Sequence, residues 1–283
     1  MGKLLEHLYF SHTSGILGQL RINIENTKED ILIFGSSRAS HHYNSLTLAD
    51  ETHLSTYNLG QDGQGMYMNY ALLKIILERY QPKMIILDLN LNEFTSEKKR
   101  YDRVSRLLPY YKRYDAVKEV VELRSDFEKL KMLSFIYPYN SMLLKLLFGR
   151  TETQTLSYNG YIPLTESKNP KPETPNPKPE TRNPKQQTDH GILNYSVKFL
   201  NLIKERNIKC YVFTSPHFTN EKIFSRSVSM IDSICDSMGI KYIDLSFTKG
   251  ISDNSEYFRD VHHLNSKGAE VYTKMIAGMI RGQ

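Results

Sequence analysis

An aspartate and a histidine stand three residues apart near the end of the chain, in Asp260-Val261-His262-His263-Leu264-Asn265. In a turn, that spacing brings a carboxylate to an imidazole. The carboxylate fixes the tautomer and leaves the other ring nitrogen to take a proton from a serine. Near the start, Ile31-Leu32-Ile33-Phe34-Gly35-Ser36-Ser37-Arg38 ends an apolar run in a turn of small residues with two hydroxyls. The carboxyl end of a first parallel strand is where open α/β sheets place ligands. Two further stretches fit the same chemistry. Tyr57-Asn58-Leu59-Gly60-Gln61-Asp62-Gly63-Gln64-Gly65 offers glycines whose backbone N–H groups can approach an oxyanion. Leu87-Asp88-Leu89-Asn90-Leu91-Asn92-Glu93-Phe94 offers an Asn side chain that can donate to the same oxygen. Each signal taken alone has a plainer reading: a turn, a glycine loop, a polar strand end, a surface histidine beside a turn-capping aspartate.

The elements that must position these residues are legible as periodicity. Five short apolar runs read as buried parallel strands: Ile31–Phe34, Leu54–Leu59, Met84–Leu89, Lys209–Thr214 and Lys241–Leu245. Helical patterns separate most of them. Gly65–Tyr80 carries Met66, Tyr70, Leu73, Ile76 and Leu77 at helical spacing and stops before Pro82. Gly191–Arg206 places Leu193, Val197, Leu200 and Ile203 on one face, and about Ser266–Ile280 does the same with Val271, Tyr272, Met275, Ile276 and Met279. Asn265 or Ser266 can cap that last helix. Strands alternating with helices imply βαβ crossovers, so the expected class is α/β: a three-layer α/β/α sandwich on a five-stranded, mainly parallel sheet.

Residues 95–168 interrupt this core and read as a helical cap. The stretch 97–150 holds 13 Lys and Arg against 7 Asp and Glu, and is rich in tyrosine. The simplest use of those tyrosines is a small core of their own. Residues 169–189 then repeat a heptapeptide, NPKPETP-NPKPETR-NPKQQTD. Its prolines remove N–H donors and forbid helix, so 169–190 is expected to be an extended or solvated linker. The expected organisation is 1–94 and 191–283 as two halves of one core around these insertions.

Composition narrows the function classes. Hydrophobic residues make up 40% and charged residues 24%, ordinary for a globular protein. The net charge of +6 alone is a weak reason to expect nucleic acid, and none is expected as a partner. No run is long and apolar enough to span a membrane, and the first residues lack a signal-peptide pattern; compartment and oligomeric state are left open. Cys210 and Cys235 fit no metal spacing and read as reduced core residues. There is no Gly-x-Ser-x-Gly elbow and no P-loop, and Gly60, Gly63 and Gly65 are too close for a dinucleotide fingerprint.

In order, at the ends of strands one, two and three and after strand five, the four stretches resemble the blocks of the SGNH (GDSL-like) hydrolase superfamily. Gly35-Ser36-Ser37 resembles the Gly-Asp-Ser block, Asn58 to Gly63 the glycine block, Asn90-Leu91-Asn92-Glu93 the Gly-x-Asn-Asp block, and Asp260-Val261-His262-His263 the Asp-x-x-His block. The resemblance covers about 30–94 and 208–281. It implies a flavodoxin-like fold and an acyl-serine reaction without metal or cofactor. It implies Ser37 as nucleophile, His263 as base and Asp260 as the residue that orients it. The Ser37 N–H, Gly63 N–H and Asn92 side chain would form the oxyanion hole. His262 competes with His263, but the spacing favours His263. Ser36 replaces the family Asp, as in relatives acting on cell-surface glycans, so an O-acetylated carbohydrate is the implied substrate. Asn90 replaces the block's glycine and competes with Asn92. Arg38 would bind an acidic substrate group or pair with a nearby carboxylate. An O-acyltransferase, or a non-catalytic glycan-binding or assembly module, are the alternatives on the same fold.

Overall fold

A computed structural model of the chain describes residues 2–12, 15–95, 100–148, 157–166 and 187–282. Most of the proline-rich repeat, 169–186, lies outside the described residues. The chain divides into two compact units.

One unit, Lys28–Gln64, Gln81–Ser96 and Leu156–Gln283, holds the sheet. Its strands are β1 (Ile31–Phe34), β2 (Thr56–Asn58), β3 (Met84–Asp88), β4 (Lys209–Thr214) and β5 (Lys241–Asp244). Their order is β2-β1-β3-β4-β5, and all four pairings are parallel. The expected α/β class and strand number hold. β2 is shorter than its apolar run, but the ladder to β1 continues on either side of it: the Ile31 N–H donates to the Ser55 carbonyl and the Leu59 N–H to the Ile33 carbonyl, each at 2.8 Å. The central strands are buried on both faces, which is why they read as continuous apolar runs.

Side chains alternate across the sheet. Ile33, Ile86 and Tyr211 stand in register on one face and pack with Leu48, Tyr272, Ile276 and Ile280 from the helices Ser45–Thr52 and Ser266–Arg281. On the other face the Phe34 ring meets Phe199 of the helix His190–Glu205 edge-on at 5.2 Å. Each such buried side chain stabilises by about 1.5–3 kcal/mol. Asn265 caps Ser266–Arg281, its Oδ1 accepting from the Gly268 N–H at 3.0 Å. Val271, counted on the apolar face, is exposed; the buried stripe runs through Ala269, Tyr272, Ile276 and Ile280 instead. Both cysteines are free, and burial pushes their thiols up, Cys235 to about 12.

The other unit comprises Met1–Thr27, Gly65–Tyr80 and Glu97–Thr155. It is helical: Gly2–Ser11, Gly15–Glu25, Met66–Arg79 and short helical pieces between Arg100 and Phe148. Tyrosine builds its interior, with the Tyr9 ring 5.9 Å from both Tyr110 and Tyr139. Among the described residues no helix is long and apolar enough to cross a membrane.

Candidate active site

The carboxyl ends of the strands carry the polar cluster, all of it within the sheet unit. After β1 the chain turns at Gly35, whose φ of +148° suits glycine alone. A Cβ there would lie 2.7 Å from Ala39 Cβ and 2.8 Å from the Asp88 carbonyl oxygen. The turn leads directly into the helix Ser37–His42, so Ser37 is its first residue. As such its backbone N–H has no partner within the helix.

Ser37 Oγ lies 2.9 Å from His263 Nε2. On the far side of that ring, both carboxylate oxygens of Asp260 lie 3.0 Å from Nδ1. Asp260 also accepts the backbone N–H groups of His262 and His263, at 2.8 and 3.0 Å. The three-residue spacing thus makes a turn closed by its own aspartate. A carboxylate can only accept, so Nδ1 carries the proton and Nε2 faces the hydroxyl with its lone pair. Burial lowers the His263 pKa, the Asp260 contacts oppose it, and the net result lies below the ordinary 6.5. The ring is therefore neutral at neutral pH. For Asp260, burial pushes up but the His262 and His263 contacts prevail, holding the carboxyl below its usual range. His262 turns elsewhere: its Nδ1 lies 3.5 Å from His217 Nδ1.

Behind Ser37 sits a buried polar network. Arg38 is 1% exposed. Its Nε donates to Ser215 Oγ at 3.1 Å and lies 3.7 Å from Asp88 Oδ1. Its Nη1 donates to Asn90 Oδ1 at 3.2 Å and also to His217 Nε2. Of the two uses open to Arg38, pairing with a carboxylate is the one realised; the guanidinium is spent inside the protein. Asp88 accepts from Tyr43 Oη at 2.7 Å and from the Ser215 N–H at 3.2 Å. Burial raises its pKa, against Arg38 and these donors.

Gly63 and Asn92 lie in the loops leaving β2 and β3, Gly63 with φ +73°. Asn90, the competitor, has its carbonyl oxygen held by Arg38, which orients the amide plane. Sequence reasoning missed His41, His42 and His217. The His41 ring stands edge-on to His263 at 5.6 Å, with its Nε2 3.1 Å from Asp62 Oδ1. Their signal was position: the histidine pair follows Ser37 within one short helix, and His217 follows β4 at the same sheet edge. Among the described residues, no group of three or more His, Cys, Asp or Glu side chains is arranged to hold a metal ion.

Residues 3–115 match the family model "protein of unknown function, DUF1574". No curated protein matches the sequence. Among solved structures, the chain is similar to a Bacteroides fragilis protein described as an acylhydrolase, at TM-score 0.47 and 11% identity, over 95% of this chain and 96% of that one. It is also similar to the acetyl xylan esterase AlAXEase, at TM-score 0.43 and 12% identity, over 88% and 98%.

Proposed function

We propose that the chain is an SGNH-type serine esterase working through an acyl-serine. The observation that carries this is the relay Asp260–His263–Ser37, with contacts of 3.0 and 2.9 Å around a ring that burial keeps neutral. His263 takes the Ser37 proton as Oγ bonds to the acyl carbonyl carbon. The Ser37 N–H, the Gly63 N–H and the Asn92 side chain receive the resulting oxyanion. Each strong donor of that kind contributes about 3–4 kcal/mol. His263 then gives its proton to the leaving alcohol as the C–O bond breaks. Water, activated by the same ring, attacks the acyl-serine and releases the acid.

The substrate we propose is an O-acetyl ester of a carbohydrate, on the strength of Gly35-Ser36-Ser37 with Ser in the middle. Transfer of the acyl group to a sugar hydroxyl would use the same residues and differ only in the acceptor. The test is acetate release from O-acetylated polysaccharides and from p-nitrophenyl acetate. Ser37→Ala is expected to lose about a thousandfold or more of the turnover. Undiminished turnover in that variant would refute the reading.

A further inference from the structure

The helical unit is turned partly inside out along one segment. Leu123, Phe127, Leu130 and Leu133 follow one another at spacings of four, three and three, and Phe135 and Ile136 continue the run. All six are exposed, and Phe127, Leu130, Leu133 and Phe135 are 65–71% open to solvent. The charged residue between them is the buried one: Glu128 is 2% exposed. Its carboxylate accepts from Arg124 at 3.1 Å, Lys131 at 2.9 Å, Tyr137 at 3.0 Å and Ser125 at 3.2 Å. A satisfied buried carboxylate holds the segment in this orientation, because turning the apolar side chains inward would strand that charge or break four bonds. Leu4 and Leu144 of the same unit are also exposed, and Gly2 approaches Phe135 so closely that a Cβ would not fit. Monomers rarely leave so many large apolar side chains together in water without a use for them.

Charge says what covers this face. The helical unit's three sequence spans hold 17 Lys and Arg against 11 Asp and Glu, a net of +6; the sheet unit's hold 20 and 20. All of the chain's net positive charge therefore belongs to the unit with the apolar run. Lys112 Nζ stands 4.1 Å over the Phe135 ring. Lys3 is exposed beside Leu4. Lys129 is exposed between Phe127 and Leu130 and pairs with the half-buried Glu122 at 3.2 Å, an ion pair open to solvent on the lysine side and so worth little. Of the residue types enriched at protein interfaces, the exposed apolar side chains of this run include only Phe127 and Phe135, and the lysines beside them are of a type such interfaces exclude. Aliphatic and Phe side chains flanked by lysines are instead what a surface needs to enter the headgroup region of an anionic bilayer.

We propose that the Leu123–Ile136 face docks the protein on the surface of an anionic lipid membrane, with Leu4 and Leu144 beside it and Lys3, Lys112 and Lys129 meeting the headgroups. The proposal is independent of the reaction at Ser37.

The experiment is flotation of the full chain with phosphatidylcholine vesicles, with and without phosphatidylglycerol. The wild type is expected to float with the anionic vesicles, to release in high salt and to stay behind with phosphatidylcholine alone. Phe127→Ser/Leu130→Ser/Leu133→Ser is expected to bind at least about tenfold more weakly. Lys3→Glu/Lys129→Glu leaves the apolar run intact and is expected to lose as much, since each cation near an anionic leaflet is worth roughly fivefold. Leu46→Ser, an exposed leucine of the sheet unit, is expected to change nothing. Circular dichroism checks that each variant folds. Failure of the wild type to float overturns the proposal, including the case where it elutes instead as a dimer that the serine substitutions dissociate. So does equal binding to both vesicle types, or unchanged binding by both multiple variants.

Discussion

The backbone N–H of Leu264, the residue after His263, donates to Nε2 of the buried His42 at 3.0 Å. On the other side of that ring, Nδ1 lies 3.0 Å from Ser215 Oγ. An N–H can only donate, so Nε2 is unprotonated and Nδ1 bears the hydrogen. His42 thus ties the turn that presents His263 to the end of β4, and it does so only as a neutral ring. Burial, with Arg38 nearby, holds the His42 pKa well below 6.5, and the same two causes act on His217. Both histidines take up a proton more readily in the unfolded chain. Stability is therefore full above pH 6.5 and falls as pH drops below it, by up to about 1.4 kcal/mol per pH unit for each proton taken up. Asp88, raised by burial, works in the opposite sense above its ordinary 3.8, but one carboxyl opposes two histidines and His263. Denaturant unfolding followed from pH 8 to pH 5 should show that loss. His42→Gln keeps an acceptor and a donor and should make the slope shallower by up to one proton; an unchanged slope would remove His42 from the explanation.

Activity should follow His263 with the same sign. The ring must be neutral to accept the Ser37 proton, and its pKa is lowered. The ratio kcat/KM should hold down to mildly acidic pH and decline only below 6.5. Asp260→Asn replaces the acceptor on Nδ1 with an amide and removes the charge that opposes burial. It should cost about a hundredfold or more in kcat, with little change in KM. A rate within a few-fold of wild type would mean that Asp260 only closes its turn.

Arg38 should matter to stability before it matters to substrate. Removing it leaves the Asp88 carboxylate buried beside two tyrosines and without its cation. Arg38→Met should lower stability by about 3–5 kcal/mol. Combining it with Asp88→Asn should recover part of that loss, read as the coupling in a double-mutant cycle of denaturation midpoints. Additive losses would show that the pair is not a unit.

Much of the sheet unit was legible because its signals are local. Ile31–Phe34 matches its apolar run to the residue, since a strand buried on both faces leaves little room for a polar position, and Lys209–Thr214 matches its expected bounds although it starts at an exposed lysine. Asp260 and His263 were legible because the contact closes within three residues. His42 and His217 were not, because their partners, Leu264, Ser215 and Arg38, come from strands and turns more than 170 residues away, and only the strand order joins them. Arg38 was ambiguous for the same reason: no local pattern tells an arginine at a strand end whether Asp88 of the next strand but one will reach it. The spacing of apolar residues at Leu123–Ile136 does not tell which way they face; the exposure of Phe127, Leu130 and Leu133 and the burial of Glu128 do.

The two asparagines after β3 can be separated. If Asn92 supplies the oxyanion donor, Asn92→Ala should lower kcat by about a hundred- to a thousandfold. Asn90→Ala should act mainly through Arg38, whose Nη1 it accepts at 3.2 Å, and so lower the unfolding midpoint more than the rate. The reverse pattern would give the donor role to Asn90.

The most direct measurement is covalent. A fluorophosphonate phosphonylates a serine that a neighbouring base has activated: the Oγ–P bond forms, the P–F bond breaks with loss of fluoride, and the base takes the serine proton. Treated as folded protein and digested, the chain should yield one adduct, on Ser37, which Ser37→Ala and denaturation both abolish and His263→Ala reduces strongly. No adduct on the folded protein, or an adduct that survives Ser37→Ala, would contradict the central claim that the Asp260–His263–Ser37 relay makes this serine a nucleophile.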